Sequence, residues 1–541
     1  MKLSKIILIL LLLASPLQAA TVWVNSAGSN TSPYDTKAKG ATTLQTAMAY
    51  ASGGDTITIA DGTYQGTGNQ ITTAAHPPVG SAWTAGNYTI VKAETDGGVI
   101  FDGQDARNMF WVLNTYPGDT DHWYVQFEGI EWINSSSGVF IQNVSNLKFL
   151  RCGFMDGGSG NNSLFRFNRG CTYNLCEGCW FYGSGRYLAS CQQTTYIIFR
   201  NCVARSDRHD NNGTLNPIGC YASYTCDYTL FQNCIAIDSD QEAYYLDDQY
   251  GMSAFYFPTT NGAGSNSSMT NCIALNNVFE GINITGLMTT VSVTNSVFVD
   301  LSIRSPYDLN SLRGTGIDID KCTFINGVSP SSTIFNANEV TGGNTVYITN
   351  SIVYGQTGTS RLFNDFDAGV DIEDYNCVNG NTGSGSGAHD ITTNPIYNAS
   401  TNPTGGIKYP VRVESGSNNL DGAGEGGIDI GANCMYLVGT SGTLYGETGY
   451  ATETATSMWP FPNEALIKTK LAAYNDGGVS GARGFCTGTS LDGSAQTLTK
   501  YIWEYLGNQI PSDIYDEESP STPTIRSGGV RGGGISGGRM Q

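Results

Sequence analysis

Asn233-Cys234-Ile235-Ala236 and, one step further on, Asn271-Cys272-Ile273-Ala274 decide how this chain is read. Each opens with a polar residue, continues with a small one and runs into strand-forming side chains. The pattern extends both ways, back through Asn201-Cys202, Gly178-Cys179 and Arg151-Cys152, and forward through Asn295-Ser296, Lys321-Cys322, Asn350-Ser351 and Asn376-Cys377. Glu128-Gly129-Ile130-Glu131-Trp132 reads as an earlier copy. Positions 152 to 377 hold eight steps in 225 residues, about 28 per step. β-formers closed by Gly, Asn, Asp or Ser predict strand and turn rather than helix. A short strand cannot bury its own apolar face, so each turn of chain must stack on the next. Small residues at the repeat position then lie over one another, roughly 4.8 Å apart across a parallel ladder. Both alternation phases are apolar in places, such as Cys234 with Ala236 and Ile235 with Ile237. That suits parallel strands covered on both sides and leaves the faces unassigned.

Composition agrees. The 541 residues include 68 Gly and 17 Pro, only 14% are charged, and the net charge is −20. An acidic chain poor in Lys is unsuited to nucleic acid, whose binding rests on neutralising phosphates. Of the 14 cysteines, the seven at the repeat position read as small buried hydrophobes. Cys220 with Cys226 is a candidate bridge in an oxidising compartment.

Lys2 and Lys5, the apolar run Ile6 to Leu13 and the small residues up to Ala20 predict an export signal over 1–20. The run is too short to anchor the chain in a bilayer. An exported protein, periplasmic, extracellular or on the cell surface, is expected, with oligomeric state open. A helical region over 436–512 should cap the last coil, with helices at Glu464 to Tyr474, capped by Asn463, and at Leu498 to Leu506. Residues 513–541, acidic and then Gly-rich, read as a disordered tail.

The opening Thr21-Val22-Trp23-Val24-Asn25, then Thr43-Leu44-Gln45-Thr46-Ala47-Met48, Gly53-Gly54-Asp55 and Asp61-Gly62-Thr63-Tyr64, resembles secreted bacterial right-handed parallel β-helix proteins of the pectate-lyase-like superfamily. Ile428-Asp429-Ile430-Gly431-Ala432 is similar to the stretch that often ends such helices. The resemblance covers residues 21–435. It implies an all-β solenoid whose first coil is closed by a short amphipathic helix, for which Leu44, Ala47, Met48 and Ala51 have the spacing.

Chemistry is expected where loops lengthen. Cys202 to Cys234 takes 32 residues and Cys234 to Cys272 takes 38. Seven of the sixteen Arg lie between 151 and 208, against three acids in that stretch. Arg pairs with carboxylate or sulfate through paired hydrogen bonds. Arg205, Asp207, His209, Asp238 and Asp240 are the candidate catalytic residues. Asp238 and Asp240, two apart on a strand, share one face at roughly 7 Å. Arg186, Tyr187, Arg208, Tyr244 and Tyr245 are candidate substrate contacts, and Asp247 with Asp248 suits Ca²⁺. The partner expected is a polysaccharide, an anionic one. A lyase would take its base from Arg205, His209 or Tyr187, whereas a hydrolase would use two carboxylates. The alternative is a noncatalytic surface or matrix β-helix that binds glycans. Asp238-Ser239-Asp240 and Asp247-Asp248 echo two polygalacturonase motifs, but the Gly-His-Gly and Arg-Ile-Lys that should follow are missing.

Overall fold

The computed structural model describes residues 19–515 except 82–86, 115–120, 158–161, 184, 206–218, 240–252, 260–263, 278–279, 285–287, 302–309, 313–314, 327–332, 337–344, 356–360, 364–369, 380–386, 397–405, 414–418 and 474–483. Among them, strands form three parallel sheets of 13, 11 and 12 members, visited in rotation. This is a right-handed parallel β-helix. The N-terminal helix Leu44–Tyr50 buries Leu44, Ala47 and Met48, and the Thr43 hydroxyl accepts from the Thr46 amide at its start.

The repeat motif has a backbone cause. Arg151, Asn201, Asn233, Asn271, Asn295, Lys321 and Asn350 all sit at positive φ, between 48° and 56°, at the corner between the 13- and 12-stranded sheets. Asparagine tolerates that left-handed region better than most residues, and Gly178 takes the position in another coil. The next residue turns inward, and its thiol donates to a carbonyl of the preceding coil. Cys234 reaches Phe199 O at 3.3 Å and Cys272 reaches Phe231 O at 3.4 Å. The last copy is out of register by one. Tyr375 occupies the left-handed corner, and Asn376 takes the inner position, its Oδ1 accepting from Ser351 N at 2.9 Å. Cys377 therefore starts the strand and faces outward, beneath Leu420 and Ile430. All 14 cysteines are free thiols, so the expected Cys220–Cys226 bridge does not form. Cys226 accepts instead from the Thr194 hydroxyl at 3.3 Å.

The C-terminal region corrects another expectation. It runs back along the side of the solenoid as a strap. Asn295 Nδ2 donates to Asn433 O at 3.0 Å, Asn271 Nδ2 to Tyr436 O at 2.7 Å and Asn233 Nδ2 to Val438 O at 2.9 Å. A side-chain amide carries both a donor and an acceptor, so the asparagine column acts as a peptide edge. Asn233 Oδ1 accepts in turn from Val438 N. Further on, Trp459, Phe461, Ile467, Leu471 and Trp503 cover the outer face of the 12-stranded sheet. That explains the doubly apolar strands. Ala204, Ala236 and Ala274 face the interior, while Val203, Ile235 and Ile273 lie under the strap. Each such side chain is worth about 1.5–3 kcal/mol when fully buried, which a helix pair over the last coil would forgo. The helices span Glu464–Ala472 and Leu498–Trp503. Asn463 sits in the left-handed conformation with no side-chain cap bond, so it does not cap the first.

Candidate functional site

Two of the expected catalytic residues meet, but under the strap. Arg205 pairs with Ile237, the residue before Asp238, on neighbouring strands of the 12-stranded sheet, and both Arg205 and Asp238 are buried. Arg205 Nη1 donates to Leu471 O and to Cys486 Sγ, each at 2.9 Å, and the guanidinium lies 4.8 Å from the Tyr182 ring. Asp238 accepts from Phe485 N at 2.6 Å, Asn276 Nδ2 at 2.9 Å and the Tyr501 hydroxyl. Burial pushes its carboxyl up, against the pull of those donors and of Arg205. Neither reaches a solvent groove; they anchor the strap. Asp207, Arg208, His209, Asp240, Tyr244, Tyr245, Asp247 and Asp248 lie outside the described residues.

Arg186 and Tyr187 fall elsewhere, on the outer face of the 11-stranded sheet. Strand register aligns Trp111, Phe140, Arg166, Ser190, Ala222 and Tyr256 in one outward row parallel to the solenoid axis. Five steps at about 4.8 Å make that row roughly 24 Å long. Beside it runs a second row of Gln142, Asn168, Gln192 and Tyr224. Trp111 and Phe140 stack at 4.6 Å, and the Arg166 guanidinium lies 6.0 Å from the Phe140 ring. Arg166 also donates to Ser163 Oγ at 2.9 Å and to Gln192 Oε1 at 3.2 Å. The Arg186 guanidinium is 5.9 Å from the Tyr187 ring, which stacks with Tyr256 at 6.1 Å. Burial first, and the like charge of Arg186 after it, lowers the Arg166 pKa, with the Tyr187 phenol opposing. The strap's contacts are with the other two sheets; within this row Trp111, Phe140, Arg166 and Tyr256 are partly exposed, whereas Ser190 and Ala222 are buried. It combines ring faces, amides and two neighbouring cations, a set suited to sugar rings carrying acidic groups.

A third place was not anticipated. Asp318 and Asp320 occupy one outward face of the strand Thr315–Asp320, in a cavity of about 660 Å³ lined also by Thr294, Tyr347, Asn350, Glu425 and Ile428. Asp320 Oδ1 accepts from Asn350 Nδ2 at 2.7 Å and Thr349 Oγ1 at 3.1 Å. Burial, and then the charge of Asp320, raises the Asp318 carboxyl. Tyr347 and Ile428 are each 38% exposed and form apolar walls. The available signal was the Asp-x-Asp spacing already noted at 238 and 240, which recurs at 318 and 320. Among the described residues, no three His, Cys, Asp or Glu side chains gather as metal ligands, and no helix is long and apolar enough to cross a membrane.

No family model matches the chain, and no curated protein matches it. Solved structures similar to it include pectate lyase Pel9A, at 18% identity and a TM-score of 0.44, covering 76% of this chain and 96% of that one. A rhamnogalacturonan lyase follows at 14% identity and a TM-score of 0.36, covering 57% and 82%. An alginate lyase from Paenibacillus sp. str. FPU-7 stands at 12% and 0.35, covering 64% and 99%. The fold itself rests on the three parallel sheets.

Proposed function

We propose that this is an exported carbohydrate-active protein that holds an anionic polysaccharide along the row from Trp111 to Tyr256. One observation carries the reading. Arg166 and Arg186 lie near enough for their charges to act on each other, each beside an aromatic ring, in a row where Trp111, Phe140, Arg166 and Tyr256 are partly exposed. A carboxylate or sulfate between two guanidiniums relieves that repulsion and gains charged hydrogen bonds, each worth about 1.5–3 kcal/mol. The aromatic rings supply apolar area for the sugar faces. Cleavage, by lyase or hydrolase chemistry, would draw on the candidate residues Asp207, His209 and Asp240. In sequence these residues fall between the strands Val203–Arg205 and Gly219–Tyr224 and between Ile235–Ser239 and Ser253–Phe257. Asp247 and Asp248 remain candidate Ca²⁺ ligands for a substrate carboxylate.

The cavity at Asp318 and Asp320 favours a second reading. Hydrolysis of a glycosidic bond needs one carboxyl that keeps its proton and another that is ionised. Asp318, whose carboxyl is raised, is placed as the acid, with Asp320, held by Asn350 and Thr349, as the second carboxyl of the pair.

A panel of acidic and neutral polysaccharides, with and without chelator, tests both. Absorbance from unsaturated uronates or new reducing ends marks an enzyme; retention without cleavage marks a binder. The first reading fails if acidic glycans are neither retained nor cut.

A further inference from the structure

A second left-handed column runs up the solenoid where each coil enters the 13-stranded sheet. Register places Asn146, Tyr173, Tyr196, Tyr228, Asn266 and Thr290 in successive coils, all with φ between 52° and 60°. Asparagine takes that region at little cost, whereas a bulky side chain there is strained. Three successive tyrosines are held in it all the same. Their rings stack, Tyr173 on Tyr196 at 4.7 Å and Tyr196 on Tyr228 at 5.1 Å. The strap accounts for two of them, because Tyr445 packs on Tyr196 at 4.8 Å and on Tyr228 at 5.8 Å. It does not account for Tyr173, whose side is open to solvent at 37% exposure.

On the far side of Tyr173 the column continues with the short Asn146, and then a bulge re-aims Tyr124, itself at a φ of 48°. Two strand steps separate Tyr124 from Tyr173, about 9.6 Å, and a ring in contact on both faces needs about 7–8 Å. Polar groups edge that notch. Asn146 Oδ1 is hydrogen-bonded to His122 Nδ1 at 2.8 Å, and the exposed His122 ring stacks with Tyr124 at 6.0 Å. The ionic side chains around it are engaged elsewhere. Lys148 donates to Gly442 O at 2.7 Å, Asp121 accepts from Asn114 Nδ2, and Asp227 accepts from Ser265 Oγ at 2.7 Å. Facing rings with an amide between them suit a ring with apolar faces and polar edges. An acidic sugar would meet no guanidinium fork of the kind that binds carboxylates.

We propose that Tyr124, Asn146 and Tyr173 form a binding site for an uncharged sugar ring, one unit of a neutral polysaccharide. The ring seats on the open face of Tyr173, and its hydroxyls bond to the Asn146 amide and the His122 ring. The site lies around a corner from the row of Trp111 to Tyr256 and does not rest on the anionic reading of that row.

The test is native electrophoresis of the full chain through gels holding starch, galactomannan, mixed-linkage β-glucan or hydroxyethylcellulose. At least one of the four should retard the parent. Tyr173→Asn should weaken that binding about tenfold, the scale of one ring face returned to water. Its urea midpoint should hold, since Asn146 and Asn266 already occupy the column. Asn146→Tyr, which runs the ladder through the notch, should abolish retardation. Added salt and Arg166→Gln should leave it unchanged, although both act on the anionic row. The proposal is overturned if none of the four retards the parent, or if retardation fades with salt or in Arg166→Gln. It is overturned equally if Asn146→Tyr migrates like the parent, whatever Tyr173→Asn does to the midpoint, because the ladder is then packing alone.

Discussion

Replacing Arg200 by Met should release the strap while leaving the coils wound. Arg200 is 0% exposed and makes five hydrogen bonds. Two go to the solenoid, to Gln232 Oε1 at 2.9 Å and Glu177 Oε2 at 3.1 Å. Three go to strap carbonyls, those of Thr440 at 2.7 Å, Tyr450 at 3.0 Å and Thr443 at 3.3 Å. Methionine fills much of the volume but leaves Glu177 as a nearly buried carboxylate that still accepts from Gly442 N at 2.8 Å. Breaking such a pair from one side costs about 3–5 kcal/mol. Since 1.36 kcal/mol is a factor of ten, strap opening should rise by roughly 150-fold to a few thousandfold. Hydrogen exchange at Val438 N and Gly442 N reads that opening directly, since both amides donate into the solenoid. Amides inside the sheets, such as Ile273 N, should change far less. Adding Glu177→Gln removes the stranded charge and should recover a large part of the loss. If Arg200→Met leaves exchange at 438 and 442 within about threefold of the parent, a factor worth under 1 kcal/mol, the clamp is not what holds the strap.

Arg166→Gln should weaken binding of an acidic polysaccharide by about ten- to a hundredfold, the scale of one charged hydrogen bond. Rising salt should narrow that gap; a neutral glycan bound equally by both proteins is the control in a retention assay. Asp318→Asn should abolish any hydrolysis without weakening binding. Because the Asp318 carboxyl is raised, parent turnover should fall as pH climbs through its pKa, seen as the alkaline limb of a pH–rate profile. Tyr501→Phe deprives Asp238 of a donor and should cost about 1–3 kcal/mol, measured as a lower urea midpoint. Asp238 is raised, so its contribution is fullest below the unfolded carboxylate pKa and is lost as pH rises through the folded one, a loss that should steepen in Tyr501→Phe. At the last coil the sign reverses. Burial pushes Asp374 up, but the His389 ring at 2.8 Å and backbone donors outweigh it and hold the carboxyl low. Protection of Asn376 N and Ile391 N should therefore fall as pH drops through the Asp374 pKa, and His389→Ala should flatten that dependence.

The cysteine column, the coil length and the N-terminal helix could be read from the chain alone, because each follows from neighbours a few residues away. A corner that needs positive φ selects Asn or Gly, the inward position selects a small residue, and both recur at the coil period. Register at the last copy was misread because Asn376 stands where Cys or Ser stands elsewhere and moves the motif by one. The path of residues 431–473 and 484–515 was out of reach for a different reason. Local pattern shows that Trp459, Phe461 and Leu471 must be covered, yet nothing within a few residues says by what. Only the folded solenoid presents the asparagine edge and the apolar sheet that receive them. The same holds for the sites. Asp238 and Asp318 carry the same spacing to a second aspartate, and sequence treats them alike. The strap closes over one and leaves the other facing a cavity. Likewise Arg205 and Arg186 belong to one basic stretch, but the coil sends them to different faces, Arg205 buried under the strap and Arg186 partly exposed beside the 11-stranded sheet. Strand spacing and corner geometry are properties of the chain, whereas exposure belongs to the assembled surface, and exposure decides which of these residues can meet a ligand.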